Sequence, residues 1–212
     1  MFHGGGTSYR GAEPSARLLG ERYHVVLVAY DGFNPSEPET TFVSPMDEAR
    51  RLGDYIVERY GGKIDILYGI SYGCRILMEV LADKRLTITA AIADGMSLND
   101  YPNIKSTWGK NLYGRATWQS WKNQDYALIG KKTDYSLFAR THMFLWYGIK
   151  GSVDKKLSAN LGKLKAQGYP FEEKIFTDLG HGGLAGEHPQ QFSQEVQTAH
   201  RRSPAGGTVD AI

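Results

Sequence analysis

Lys63-Ile64-Asp65-Ile66-Leu67-Tyr68-Gly69-Ile70-Ser71-Tyr72-Gly73, with the residues that follow to Ala82, decides the fold. Lys63 to Tyr68 is a short apolar run and reads as a strand. Tyr72 to Ala82 reads as a helix, with Ile76, Leu77, Val80 and Leu81 on one side. Between them stands the pattern G-x-S-x-G, from Gly69 to Gly73. A strand that turns this sharply into a helix forces its central residue into a strained conformation. Small residues two before and two after let the backbones pass. The Ser71 hydroxyl is thereby held above the sheet, at a helix amino end whose partial positive charge favours a developing anion. The pentapeptide alone is a weak signal in a chain with 25 glycines among 212 residues. Its place between strand and helix gives it weight.

The same alternation extends in both directions. Tyr23 to Tyr30 is a continuous apolar, β-branched run and reads as a buried strand, ending at Asp31-Gly32 and a Pro-rich loop. Ser44-Pro45-Met46-Asp47 reads as a helix start, with Ser as N-cap and Pro in the first turn. Ala49, Leu52, Ile56 and Tyr60 form one face of that helix, and Gly61-Gly62 stops it. Leu86 to Ala93, His142 to Tyr147 and Phe171 to Thr177 read as strands. Asp154 to Gln167 and Pro189 to His200 read as helices. Strands alternating with helices imply parallel βαβ units and a sheet covered on both faces. With a stub before His3, about six strands are expected. The pattern breaks from Gly95 to Thr141, a stretch that holds Trp108, Trp118 and Trp121 among eight aromatic residues. It reads as an insertion at the carboxyl edge of the sheet, where such folds place their ligands. Residues 1–200 are expected to form one domain, and residues 201–212 a polar tail.

Composition narrows the function classes. Apolar residues make up 41% and charged residues 23%, which suits an ordinary globular protein. Lys and Arg total 25 against 23 Asp and Glu, so charge gives no case for a nucleic-acid or polybasic membrane partner. The single cysteine, Cys74, excludes an internal disulfide and a Cys-rich zinc site. Apolar runs of about six residues are far short of the roughly 20 that span a bilayer. Met1 to Gly6 has neither the basic region nor the apolar run of a signal peptide, so cytoplasm is the expected compartment. No metal or organic cofactor is expected.

Four further features bear on chemistry. His3-Gly4-Gly5-Gly6 is a turn that can aim backbone N–H groups into a cavity, because no Cβ blocks approach. It lacks the spacing and the Lys-Ser/Thr of a phosphate loop. His181, in Asp178-Leu179-Gly180-His181-Gly182-Gly183, follows a strand and can reach the turn at Ser71. A carboxylate is then needed to orient the imidazole and stabilise its cation. Asp154 follows the strand His142–Tyr147 across a Gly-rich turn, at the same sheet edge. Asp94, at the end of Leu86–Ala93, is its rival; Asp178 is too near His181 in sequence. Cys74 reads as a small residue packing the helix after Ser71 against the sheet.

Together these pieces resemble the α/β-hydrolase superfamily: His3-Gly4-Gly5-Gly6, Gly69-Ile70-Ser71-Tyr72-Gly73, Asp154, and Gly180-His181-Gly182-Gly183. The order Ser, Asp, His is that superfamily's order. The resemblance implies Ser71 as nucleophile, His181 as general base and Asp154 as its orienting acid. It implies an oxyanion hole from the backbone N–H groups of Tyr72 and Gly5. It makes residues 95–141 a cap. One departure follows from the resemblance: only Met1 and Phe2 precede His3, so the first two strands of the superfamily are expected to be missing from this sequence and the third to be a stub, either because the sequence lacks its amino-terminal part or because the protein is a shortened form.

The function expected from this set is hydrolysis of carboxylic esters of small to medium apolar or aromatic acyl groups through an acyl-enzyme. Trp108, Trp118 and Trp121 are the candidates to line the acyl pocket. A thioesterase, amidase or acyltransferase would use the same residues. A ligand-binding protein that has lost turnover is the reading from another class. The expected partner is a small-molecule ester; the sequence leaves the oligomeric state open.

Overall fold

Each strand offers apolar side chains to both of its faces, and the folded chain uses both. The computed structural model describes residues 1–4, 7–34, 36–37, 39–96, 140–150, 166 and 171–203. Four strands pair in parallel in chain order: β1 Lys63–Ile70, β2 Thr87–Asp94, β3 His142–Gly148 and β4 Phe171–Phe176. A short 3-10 turn, Tyr9–Ala12, leads into α1 Glu13–Leu19; α2 is Pro45–Tyr60 and α3 Gly73–Leu81. After β4 come α4 Leu184–Glu187 and α5 Pro189–Arg202. Leu67, Ala91, Ala93, Met143, Leu145 and Tyr147 point to one face and pack with Ala49 and Ile56 of α2 and Ile76, Leu77 and Val80 of α3. Tyr68, Ala90, Ile92, Phe144 and Trp146 point to the other, against Leu19 of α1 and Phe192, Val196 and Ala199 of α5. Burial of each large apolar side chain contributes about 1.5–3 kcal/mol. These two layers hold the carboxyl ends of β1 and β2 in place.

Local signals in the sequence set the element ends. The Ser44 side chain accepts a hydrogen bond from the Asp47 N–H at 3.0 Å, and Pro45 stands in the first turn of α2. Gly61 ends the helix in the left-handed conformation, at φ 59°. The helix expected over Asp154–Gln167 and the cap expected over residues 95–141 fall largely or wholly outside the described residues.

The strand expected over Tyr23–Tyr30 differs. Only Val28 is bridged, to Phe2, which also bridges Gly69 of β1. A strand needs a ladder of partners, and in the described chain only the stub at Phe2 lies between this segment and β1. The stub expected before His3 is thus present, and four laddered strands are described where about six were expected. A cavity of about 360 Å³ is lined by Val25, Val26 and Val28 of this segment, by Ile64, Ile66 and Leu67 of β1, and by Met1 and Phe2. Neither Ser71 nor His181 lines it.

The cap on α2 gives a direct check. Ser44→Ala should lower unfolding stability by about 1 kcal/mol, the usual worth of an N-cap hydroxyl. The urea midpoint should fall with the slope unchanged.

Candidate active site

Ser71 stands between the last residue of β1 and the start of α3 and has φ 49°, a positive value that no other described non-glycine residue adopts. Such a backbone costs of order 1–3 kcal/mol and persists only where surrounding structure enforces it. Two contacts enforce it here. The Ser71 N–H donates to the Asp94 carbonyl at 2.8 Å, tying the turn to the end of β2. The backbones around the turn also pass too closely for side chains: a Cβ on Gly69 of β1 would lie 2.8 Å from the Gly73 carbonyl oxygen at the start of α3, and one on Gly73 would lie 2.7 Å from the carbonyl oxygen of His3 in the amino-terminal stub. Cys74 completes the seam. Its buried thiol donates to the Gly69 carbonyl at 3.1 Å, and burial pushes it well above the usual thiol range. Tyr72 is the N-cap of α3, at the amino end of the helix.

The His3 loop is carried to the same place. A Cβ on Gly4 would lie 3.7 Å from Ser71 Cβ. The Gly4 carbonyl accepts from Thr7 Oγ1 at 2.8 Å, and from His3 Nδ1 at 2.9 Å, so Nδ1 carries the proton. Burial lowers the His3 pKa and so favours the neutral ring, whose Nε2 is buried with no hydrogen-bond partner among the described residues. The ring stacks on Tyr30 with centroids 4.0 Å apart, and the Tyr30 hydroxyl donates to the His3 carbonyl at 3.0 Å. Phe33 and Phe42 close the cluster, Phe33 against His3 and Phe42 against Tyr72.

His181 is exposed, in the turn between β4 and α4. Its imidazole lies over Gly95, where a Cβ would be 2.8 Å from Cε1 and 2.9 Å from Nδ1. A Cβ on the adjacent Gly182 would meet the side chain of Ile70, the residue before Ser71. Ser71, Gly4 and His181 are thus gathered at the carboxyl ends of β1 and β2. Asp94 is buried in the same place, and its Oδ2 accepts from the Tyr68 hydroxyl at 2.7 Å. Burial, and then the Asp94 charge, push the Tyr68 phenol well above its usual range. Asp154, Gly5, Trp108, Trp118 and Trp121 lie outside the described residues. The approach to Asp154 is described as far as Lys150, whose N–H donates to the Leu179 carbonyl at 3.0 Å, two residues before His181. Among the described residues, no group of three His, Cys, Asp or Glu could hold a metal ion. No described helix is long and apolar enough to cross a membrane.

Sequence reasoning passed over Gly95 and the Asp94 carbonyl, which touch the His181 ring and the Ser71 amide. The Asp94-Gly95 pair reads only as a turn after a strand; nothing in the pattern shows that two neighbours lean on it.

The chain belongs to the alpha/beta hydrolase family, whose model matches residues 1–195. Solved structures agree on the fold. An N-acyl homoserine lactone degrading enzyme superimposes with TM-score 0.68 at 12% identity, over 93% of this chain and 90% of that one. A lipase-esterase related protein from Clostridium acetobutylicum gives 0.64 at 14%, over 93% and 92%. An epoxide hydrolase gives 0.63 at 13%, over 93% and 89%. No curated protein sequence matches the chain.

A titrating carboxyl lies behind the aromatic cluster. Glu48, on the first turn of α2, is buried, and burial and then the Asp31 charge push its pKa up to about 7, against the pull of Arg51. Asp31, itself paired with Arg51, begins the loop that carries Phe33 and Phe42. A carboxyl whose folded pKa is raised binds its proton more tightly in the folded state. Stability should therefore fall as pH rises from about 4.5 to about 7. Urea unfolding across this range should show that decline, and Glu48→Gln should flatten it.

Proposed function

We propose that the protein is a serine hydrolase of carboxylic esters, acting through an acyl-enzyme. The observation that carries this reading is the left-handed Ser71 at the strand–helix turn, with the His181 ring held over the neighbouring turn. Ser71 Oγ attacks the acyl carbon, and His181 takes the hydroxyl proton. The tetrahedral oxyanion is held by the backbone N–H groups of Tyr72 and Gly5. Each such donor is worth roughly 3–4 kcal/mol in a protease where one was removed. Collapse of this intermediate breaks the ester bond, and His181 passes its proton to the departing alcohol. Water, deprotonated by His181, then attacks the acyl-enzyme. Collapse of the second intermediate returns the proton to Ser71 and releases the acid.

Asp154 is the acid that orients His181. The hydrogen bond from Lys150 to Leu179 supports it, since it carries the exit of β3 beside the His181 loop four residues before Asp154. Asp94 is the alternative, but its carboxylate is already engaged by the Tyr68 hydroxyl on the face packed by α5.

The test is labelling by a fluorophosphonate probe together with turnover of p-nitrophenyl esters. Wild type should react, and Ser71→Ala should lose both labelling and turnover while its Tm stays within a few degrees. Absence of labelling in the wild type would favour a protein that binds without turning over. Asp154→Asn should cost far more in kcat than Asp94→Asn; the reverse would move the acid to Asp94. A parallel panel of thioesters and amides fixes the leaving group.

Trp108, Trp118 and Trp121 line the acyl pocket in this reading. Medium-length acyl esters should then be preferred over acetate. Each added buried methylene is worth about 0.8 kcal/mol, or roughly fourfold in kcat/KM, until the pocket is full. A flat or falling series from two to ten carbons, unchanged in Trp118→Ala and Trp121→Ala, would leave those rings no part in the pocket.

A further inference from the structure

The peptide unit joining Asp94 to Gly95 sits between the two reacting side chains of the proposed mechanism. The Asp94 carbonyl accepts the Ser71 N–H at 2.8 Å. The next residue, Gly95, has φ 64° and donates its own N–H to the Trp146 carbonyl at 2.8 Å, which pins it to the end of β3. The His181 ring rests on the hydrogen-bearing face of Gly95, where a Cβ would approach Cε1 and Nδ1 within 3 Å. The turn is therefore anchored on both sides by backbone hydrogen bonds, while the imidazole that leans on it is the end of an exposed side chain.

We infer that Gly95 is a positioning residue that sets how closely the His181 imidazole approaches Ser71. The inference rests on the acyl-enzyme reading for its kinetic consequence, but not for its structural one. A methyl group at Gly95 meets the end of the His181 side chain first; the nearest backbone atom, the Gly182 N, lies at an ordinary contact distance of 3.6 Å. The ring is displaced, and the anchored turn stays. The change therefore falls on catalysis more than on folding. Misplacing a reacting group by about 1 Å can cost roughly a hundredfold in rate.

The experiment compares Gly95→Ala with Gly61→Ala. Gly61 also has positive φ, but a Cβ there would meet nothing within 4 Å, so it isolates backbone strain. Gly95→Asn serves as a second variant, because Asn tolerates the left-handed region while still carrying a Cβ. Gly95→Ala and Gly61→Ala should lose similar stability. Both Gly95 variants should lose at least tenfold in kcat with little change in KM, whereas Gly61→Ala keeps wild-type kinetics. NMR titration of the His181 ring should show shifted resonances and an altered midpoint in the Gly95 variants alone.

Wild-type kcat and an unmoved His181 titration in both Gly95 variants would overturn the inference. So would loss of activity with the His181 signals unmoved, since that would be a structural effect only. Shifted His181 signals in a chain whose wild type neither labels nor turns over esters would support the positioning role and refute the acyl-enzyme reading.

Discussion

The left-handed backbone at Ser71 is the constraint on which the rest of the site depends. It is unfavourable by itself, and it survives because neighbouring elements leave the chain no other route. Strand β1 passes the start of helix α3 at a distance only glycine permits at Gly69, and α3 passes the stub at Phe2 and His3 as closely at Gly73. The amide of Ser71 is then claimed by the end of β2. Remove either contact and a residue with a Cβ relaxes to negative φ, taking its hydroxyl away from the sheet edge. The packing of Leu67, Ala91 and Ala93 on α3 thus fixes the Ser71 turn as well as stabilising the fold, because it holds the two arms of this turn together.

The remaining parts reach the turn by different means. His3 arrives through an aromatic stack in which Tyr30 and Phe33 surround a neutral ring, and Phe42 extends the stack to Tyr72. His181 arrives on the loop after β4, which β3 secures through Lys150 and Leu179. One route is apolar packing with a buried titrating carboxyl behind it; the other is backbone hydrogen bonding at a sheet edge. Their responses to conditions differ accordingly, the first carrying a pH dependence through Glu48.

Much of this could be read from the residues because the decisive signals are local. Ser44 before Pro45, Gly61 after Tyr60, and the glycines flanking Ser71 each specify a conformation within a few residues. The strands β2 and β3 were legible as apolar runs between turns, and β1 and β4 as shorter, mixed runs that fit the alternation of strands with helices. Tyr23–Tyr30 was misleading because a β-branched run gives only a preference for extended backbone, whereas a strand is a property of its neighbours. The contacts of Gly95 were invisible for a related reason. They join residues 95, 146 and 181, and no periodicity links positions so far apart. Asp94 illustrates both sides: its place at a strand end was readable, while the engagement of its carboxylate by Tyr68 needed the register of β1 against β2.

The sealed thiol of Cys74 makes the seam between β1 and α3 observable from outside. The sulfur has no solvent exposure and is held against the Gly69 carbonyl, in the contact that keeps Ser71 in place. A thiol reagent in solution can reach it only when strand and helix part. As this is the chain's single cysteine, alkylation under native conditions reports those openings: their rate where the reagent outpaces reclosing, their equilibrium population where it does not. The chain thus carries a built-in reporter at the Ser71 turn.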